Sequence, residues 1–260
     1  MKISTLITGT ALFLSAFQSN AQAAGSTVAA PRPGAVRVLA TAAIRDPLDA
    51  ILKQAEAAIG KPIAVEYGNA RGNLRTAILD GREFEVALLL PDVGDDIEAA
   101  GKIVPGRFEI ARVPVAFGLR GDVPKPDVSS LPAIKATMLK AKSVKYGPVG
   151  AALTTVKKIV STLDIATQIH DSSAIQTEVP LAAGEYEINI YPMSEIIPNK
   201  KFTNLGPVIS QLQIPILIEA TAGKNASDSK IARALIAFLQ GPAIDHGLKE
   251  FGMEKGRMGK

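Results

Sequence analysis

The chain has 260 residues, 47% of them hydrophobic and 21% charged, which is enough to build two compact α/β lobes and too apolar for a disordered chain. The absence of cysteine excludes disulfides, a thiol nucleophile and thiolate metal sites, and two histidines, His170 and His246, leave little for any other metal centre, so no metal and no cofactor are expected. The net charge of +4 is mild, its cations are scattered, aromatic residues make up 5% and tryptophan is absent, all of which argue against a nucleic-acid partner.

Residues 1–24 read as a cleaved signal peptide: Lys2 is a minimal positive start, Ile3 to Phe17 is mostly apolar, and Ala21-Gln22-Ala23 offers small residues for cleavage. The apolar run, interrupted by Thr5, Thr8, Gly9, Thr10 and Ser15, falls short of the roughly 20 residues that span a bilayer. Its removal takes away one charge, Lys2, and lowers the net charge from +4 to +3. The expected location is the periplasm.

After a leader containing Pro31, Pro33 and Gly34, short apolar runs alternate with amphipathic ones, the pattern of strands and covering helices in an α/β fold. Val36 to Ala40 predicts a strand, and Asp46 an N-cap with Pro47 at the first helical position; Leu48, Ile51, Leu52 and Ala55 then share one face. Ile63 to Tyr67 predicts a strand, Gly68 to Asn73 a turn, Leu74 to Asp80 a helix ended by Gly81, and Val86 to Leu90 a buried strand before Pro91. A helix follows around Asp95 to Ala100, ending at Gly101. Short connections of this kind predict parallel strands. Ala111 to Leu119 reads as one longer strand, followed by a loop from Gly121 to Pro126. A second series then runs as helix Ala133 to Ala141, strand Ser143 to Tyr146, helix Thr154 to Leu163 and strand Tyr186 to Tyr191, in which Ile188 and Ile190 alternate with Glu187 and Asn189. A strand from Ile214 to Ala220, a helix from Ala226 to Leu239 and a last helix opened by Gly241-Pro242 complete the chain.

In an open α/β sheet a ligand sits beyond the carboxyl ends of the strands, where each loop leads to a helix whose first amides are unpaired. Residues 41–45, 69–73 and 149–154 hold that position, so three helix starts are expected to converge on one anion. Thr41 offers a hydroxyl, Asn69 or Asn73 an amide, and Gly72 room for a close backbone approach. Arg71 carries the geometry for a bidentate bond to a planar carboxylate, unless it is simply a solvated surface arginine. Arg45, beside Asp46, reads as a local helix-terminus pair. Glu195, in Ser194-Glu195-Ile196, is either a base or a partner of the helix dipole. His170 before Asp171-Ser172-Ser173 is too local for a catalytic triad and reads as a turn, while His246 reads as a surface or helix-end residue.

The order and spacing of several segments resemble the periplasmic molybdate-binding protein family, a branch of the type 2 periplasmic solute-binding proteins. The segments are Val38-Leu39-Ala40-Thr41-Ala42-Ala43, Val65 to Leu74, Phe84 to Leu90, Ala141 to Tyr146, Ala183 to Ile188, Ser194-Glu195-Ile196 and Gly206-Pro207, and they cover nearly the whole mature chain. The resemblance implies a two-lobed fold with two strand crossovers near 112–116 and 208–215 and a ligand cleft between lobe 1 (25–112 and 214–260) and lobe 2 (113–213). It adds Tyr191, at a position that contacts ligand in the family, to the loop residues Thr41, Ala42, Asn69, Ala70, Arg71 and Gly150 as the expected ligand set, and implies a single-chain receptor serving the membrane subunits of an ABC-type importer. The late Ser-Glu-Ile motif is similar to a side branch that includes aconitate isomerase, which leaves two classes open: a binding protein without chemistry, or an isomerase whose acid and base come from Tyr191, Glu195, Lys145 and Tyr146. Where the family usually places serines, this chain has Thr41-Ala42-Ala43 and Asn69-Ala70-Arg71, and its loop from Gly147 to Ala152 lacks hydroxyl residues. Those departures favour an organic polycarboxylate over molybdate, which stays as a further alternative.

Overall fold

The computed structural model describes residues 34–257 apart from 176 and 227, so the signal segment lies outside the described residues. Two sheets organise the chain: a six-stranded one in the order β10-β4-β9-β3-β1-β2, and a four-stranded one in the order β6-β7-β5-β8. The first is built from β1 (Val36–Thr41), β2 (Ile63–Gly68), β3 (Val86–Leu89), β4 (Phe108–Val113), β9 (Ile216–Ala222) and β10 (Glu254–Lys255). The second holds β5 (Val115–Arg120), β6 (Ser143–Tyr146), β7 (Glu187–Pro192) and β8 (Thr203–Pro207). This is the mixed α/β, two-sheet architecture expected from the alternation of segments.

Strands β1, β2 and β3 pair in parallel, as their short helical connections predict. All four residues of β3 are buried, the mark of a strand covered on both faces, and the uninterrupted apolar run Val86 to Leu90 is the reason. Beyond β3 the pairing turns antiparallel, because β9 returns from the other sheet and inserts between β3 and β4.

The single strand expected from Ala111 to Leu119 is two. Pro114, which has no amide hydrogen to offer a ladder, divides β4 from β5, and the two halves join different sheets. The return passage, residues 208–215, runs beside it. Gln213 fastens the two crossings: its side-chain oxygen accepts from the Val115 amide at 3.0 Å, and its side-chain nitrogen donates to the carbonyls of Val115 and Val208.

Helix starts also depart from expectation in one instructive place. Helix α1 (Arg45–Ile59) begins at Arg45 behind a 3-10 turn at Ala42–Ile44, so Asp46 lies inside its first turn and does not cap it. Pro47, Leu48, Ile51 and Ala55 form its buried stripe, and the helix stops at Gly60, whose φ of 70° is cheap only for glycine. Short helix α2 (Arg75–Leu79) follows a π-type turn at Ala70–Leu74, in which the Asn69 side chain accepts from the Gly72 amide at 3.2 Å. The chain continues with α3 (Pro91–Ala99), α4 (Leu131–Lys140), α5 (Leu153–Leu163), α6 (Met193–Ile196), α7 (Ser229–Gln240), capped by Asp228, and α8 (Ala243–Glu250).

The polar positions of β7 are buried along with the apolar ones. Glu187 is held between the Arg120 guanidinium (3.0 Å), the Ser143 hydroxyl (2.7 Å) and the Asn189 amide (3.2 Å). Burial alone would push its carboxyl up, but these donors hold it below the usual carboxylate range.

Candidate functional site

Two hydrogen bonds join the loops at the carboxyl ends of β1 and β2 to those at the carboxyl ends of β7 and β6. Their first link is Ser194, buried at the start of α6, whose hydroxyl donates to the Ala43 carbonyl at 2.6 Å and so joins the four-stranded half to the turn after β1. The second link is Arg71. Its Nη1 donates to the Gly150 carbonyl at 2.9 Å across the gap, while Nε and Nη2 hold the two oxygens of Asp92 at 2.5 and 3.3 Å. Beside this link a crevice of about 300 Å³ is lined by Leu90, Pro91, Ala151, Thr154 and residues 214–217.

Next to the Ser194 link lies a cluster of ionisable groups. Glu195, on α6, keeps a narrow accessible edge although protein surrounds its carboxyl on nearly every side. It makes no hydrogen bond among the described residues. Burial therefore dominates its proton affinity and pushes it up to about 7; Arg45 acts to lower it and Asp46 to raise it. A helix dipole acting alone would draw the value down, so of the two roles open to Glu195 the raised proton affinity suits the base. Arg45 forms no salt bridge with Asp46. Its guanidinium lies 4.5 Å from the centre of the Tyr67 ring, a cation–π contact, and Tyr67 is fixed in turn by a 2.6 Å bond from its hydroxyl to Asp49. Burial and Asp49 raise Tyr67 above the ordinary phenol range, and burial with neighbouring Asp49 raises Asp46. Tyr191 stands on β7 opposite Ala116, stacked on Phe202 at 6.4 Å, and burial assisted by the Glu195 charge pushes it up to about 12.

The remaining sequence candidates fall into place around this cluster. Thr41 ends β1, is buried and pairs in register with Gly68; Ala42 opens the 3-10 turn; Ala70 is buried at the start of the π-type turn. The Asn69 side chain is spent on its own turn, and its amide donates to Asn73 Oδ1 at 2.8 Å. Gly150 closes a tight turn onto Gly147 and presents its carbonyl to Arg71. Lys145 donates to the Thr177 carbonyl, and the Tyr146 hydroxyl to Asp171, whose other oxygen accepts from the Ser173 amide; these bonds make the turn expected around His170 and leave no triad. His246 is exposed, beside Glu250. The structure thus brings together Arg71 with Gly150, and Tyr191 with Glu195 and Arg45. Tyr67 was missed by sequence reasoning, which saw it only as a strand residue.

Among the described residues no helix is long and apolar enough to cross a membrane, and no group of histidine or acidic side chains could hold a metal ion. A family model described as bacterial extracellular solute-binding protein matches residues 36–254. The chain is 20% identical over 226 residues to an aconitate isomerase of Pseudomonas sp, covering 84% of this chain and 86% of that protein. It is 25% identical over 238 residues to the molybdate-binding protein ModA of Azotobacter vinelandii, covering 88% and 93%. The solved structure of the Azotobacter vinelandii periplasmic molybdate-binding protein superposes with a TM-score of 0.63 at 16% identity, covering 86% of this chain and 100% of that one.

Proposed function

Because the chain belongs to the bacterial extracellular solute-binding protein family, we propose that it captures a small organic polycarboxylate between its two halves in the periplasm and delivers it to an ABC-type importer. The supporting observation is the Arg45 guanidinium, held over Tyr67 without a salt bridge and beside a carboxyl that titrates near neutrality. A cation with a planar fork and no salt bridge among the described residues suits a carboxylate, whereas fixed dipoles suffice for a tetrahedral oxyanion. Arg71 is the second cation. Its partner Asp92 is 54% exposed, so the pair is of the weak surface kind and a ligand carboxylate can take the place of Asp92. Thr41, Ala42, Asn69, Ala70, Gly150 and Tyr191 are assigned to the same site because they lie at the carboxyl ends of β1, β2 and β7 and on the turn after β6. We assign residues 25–112 with 214–260, of which 25–33 and 258–260 lie outside the described residues, to one lobe and residues 113–213 to the other, closing as a hinge about the crossings at Pro114 and Gln213.

A thermal-shift screen of the protein lacking residues 1–24 tests this reading, because a ligand that binds only the folded state raises its melting temperature. Di- and tricarboxylates should raise it; a response to molybdate or sulfate with none to carboxylates would overturn it. A second reading, an isomerase acting on an unsaturated tricarboxylate, is favoured by Glu195, since a carboxyl near pH 7 is poised to take and return a proton. Conversion of cis- to trans-aconitate, followed by proton NMR, separates that reading from simple binding.

A further inference from the structure

We propose that Arg45 and Glu195 form one carboxylate-recognition site in which ligand capture is coupled to uptake of a proton by Glu195. The proposal rests on the polycarboxylate reading and adds to it a residue pair, a protonation state and a pH dependence.

The geometry carries it. Glu195 projects from the four-residue helix α6, which is pinned to the opposite half by the Ser194 bond to Ala43, and so is held against the start of α1. Around its carboxyl, α1 contributes Arg45 and Asp46, and β7 contributes Tyr191. The parts of β5 and β8 packed on α6 bring Ala116, Gly118 and Asn204, none of which titrates. Tyr67 and Asp49 act on the site indirectly, through Arg45 and, for Asp49, through the charge of Asp46 as well. The surroundings therefore hold one cation and one competing anion, with no donor bonded to Glu195 among the described residues.

A ligand carboxylate that pairs with Arg45 withdraws much of the one positive charge that, among the described residues, favours ionised Glu195, and adds a negative one. Both changes act in the same direction, toward the protonated acid. Once protonated, the Glu195 O–H can donate to the ligand carboxylate that Arg45 holds, which turns a repulsive neighbour into a hydrogen-bond donor. No bond other than O–H is made, and the proton comes from solvent.

Two measurements on the protein lacking residues 1–24 test this. Carbon-detected NMR of the free protein, with the Glu195→Gln variant to assign the signal, should show a carboxyl titrating near pH 7 that is absent from the variant. Calorimetry with trans-aconitate and fumarate, in buffers of different ionisation enthalpy, should show on the order of half a proton taken up per ligand at pH 7, and affinity falling roughly fivefold between pH 7 and pH 8. Glu195→Gln should bind with no proton uptake and a flat profile; equal melting behaviour at low pH verifies its fold. Carboxylate binding with the same proton uptake in both proteins, or with none in the wild type, overturns the coupling and leaves the polycarboxylate reading standing. A Glu195 signal titrating in the ordinary carboxylate range overturns it as well. No response to either carboxylate overturns both readings together.

Discussion

Replacing Glu195 with glutamine should stabilise the protein at pH 8 by several times more than at pH 5. The folded protein holds the Glu195 proton to about pH 7, whereas an unfolded chain releases it near 4.5. Below 4.5 both states are protonated and the group costs nothing. Between 4.5 and 7 the unfolded state loses its proton first, so stability falls as pH rises, and above 7 the folded state carries the whole cost of a buried charge. At about 1.4 kcal/mol for each tenfold change in proton affinity, that cost approaches about 3 kcal/mol. Glutamine fills the same space without ionising and removes it. Urea unfolding of both proteins at pH 5, 6, 7 and 8 should give a stability difference that grows through this window to about 2 to 3 kcal/mol in favour of the variant. A difference that stays constant from pH 5 to pH 8 would refute the reasoning, because only a group titrating within the window can make the two curves diverge.

Three further outcomes follow from contacts elsewhere in the molecule. Arg71→Ala should weaken polycarboxylate binding by about tenfold in calorimetry, less than a fresh buried pair would give because the guanidinium only exchanges Asp92 for the ligand, and should leave the free protein's melting temperature within a few degrees. Ser194→Ala removes the buried donor to the Ala43 carbonyl and should cost about 1 to 3 kcal/mol in urea unfolding. Arg120→Ala should cost more, about 3 to 5 kcal/mol near pH 7, since Glu187 is 1% exposed and would lose its cation; acidification through the carboxylate range should recover part of that loss.

Much of the fold was legible because local pattern and tertiary demand agree. The apolar run at Val86 to Leu90 can be satisfied only as a strand covered on both faces, and the spacing of Leu48, Ile51 and Ala55 only as one stripe of a helix. The long strand from Ala111 to Leu119 misled because apolar residues sit on both sides of Pro114, and hydropathy does not register the missing amide that sends the two halves to different sheets. The alternation in β7 hid a second buried face, since Glu187 finds its donors on β5 and β6, strands distant in sequence.

The candidate site divides along the same line. Loop positions follow from strand order, so residues 41–45, 69–73 and 149–154 do lie between a strand and the helical turn that follows it. What each side chain does there depends on partners the local sequence does not contain. Arg71 drew attention as a free guanidinium, yet Asp92, 21 residues on, already holds it. Arg45 was assigned to adjacent Asp46, but a helix that begins at Arg45 itself and an aromatic ring from β2 take it elsewhere. Glu195 sits at a helix start, where the macrodipole lowers proton affinity by a few tenths to about 1 kcal/mol. Desolvation acts oppositely, and with no donor to offset it, the larger effect wins. A charged side chain near a short helix thus keeps its dipole role only while it stays well hydrated, and at α6, drawn against the other half by Ser194, partial burial outweighs the dipole.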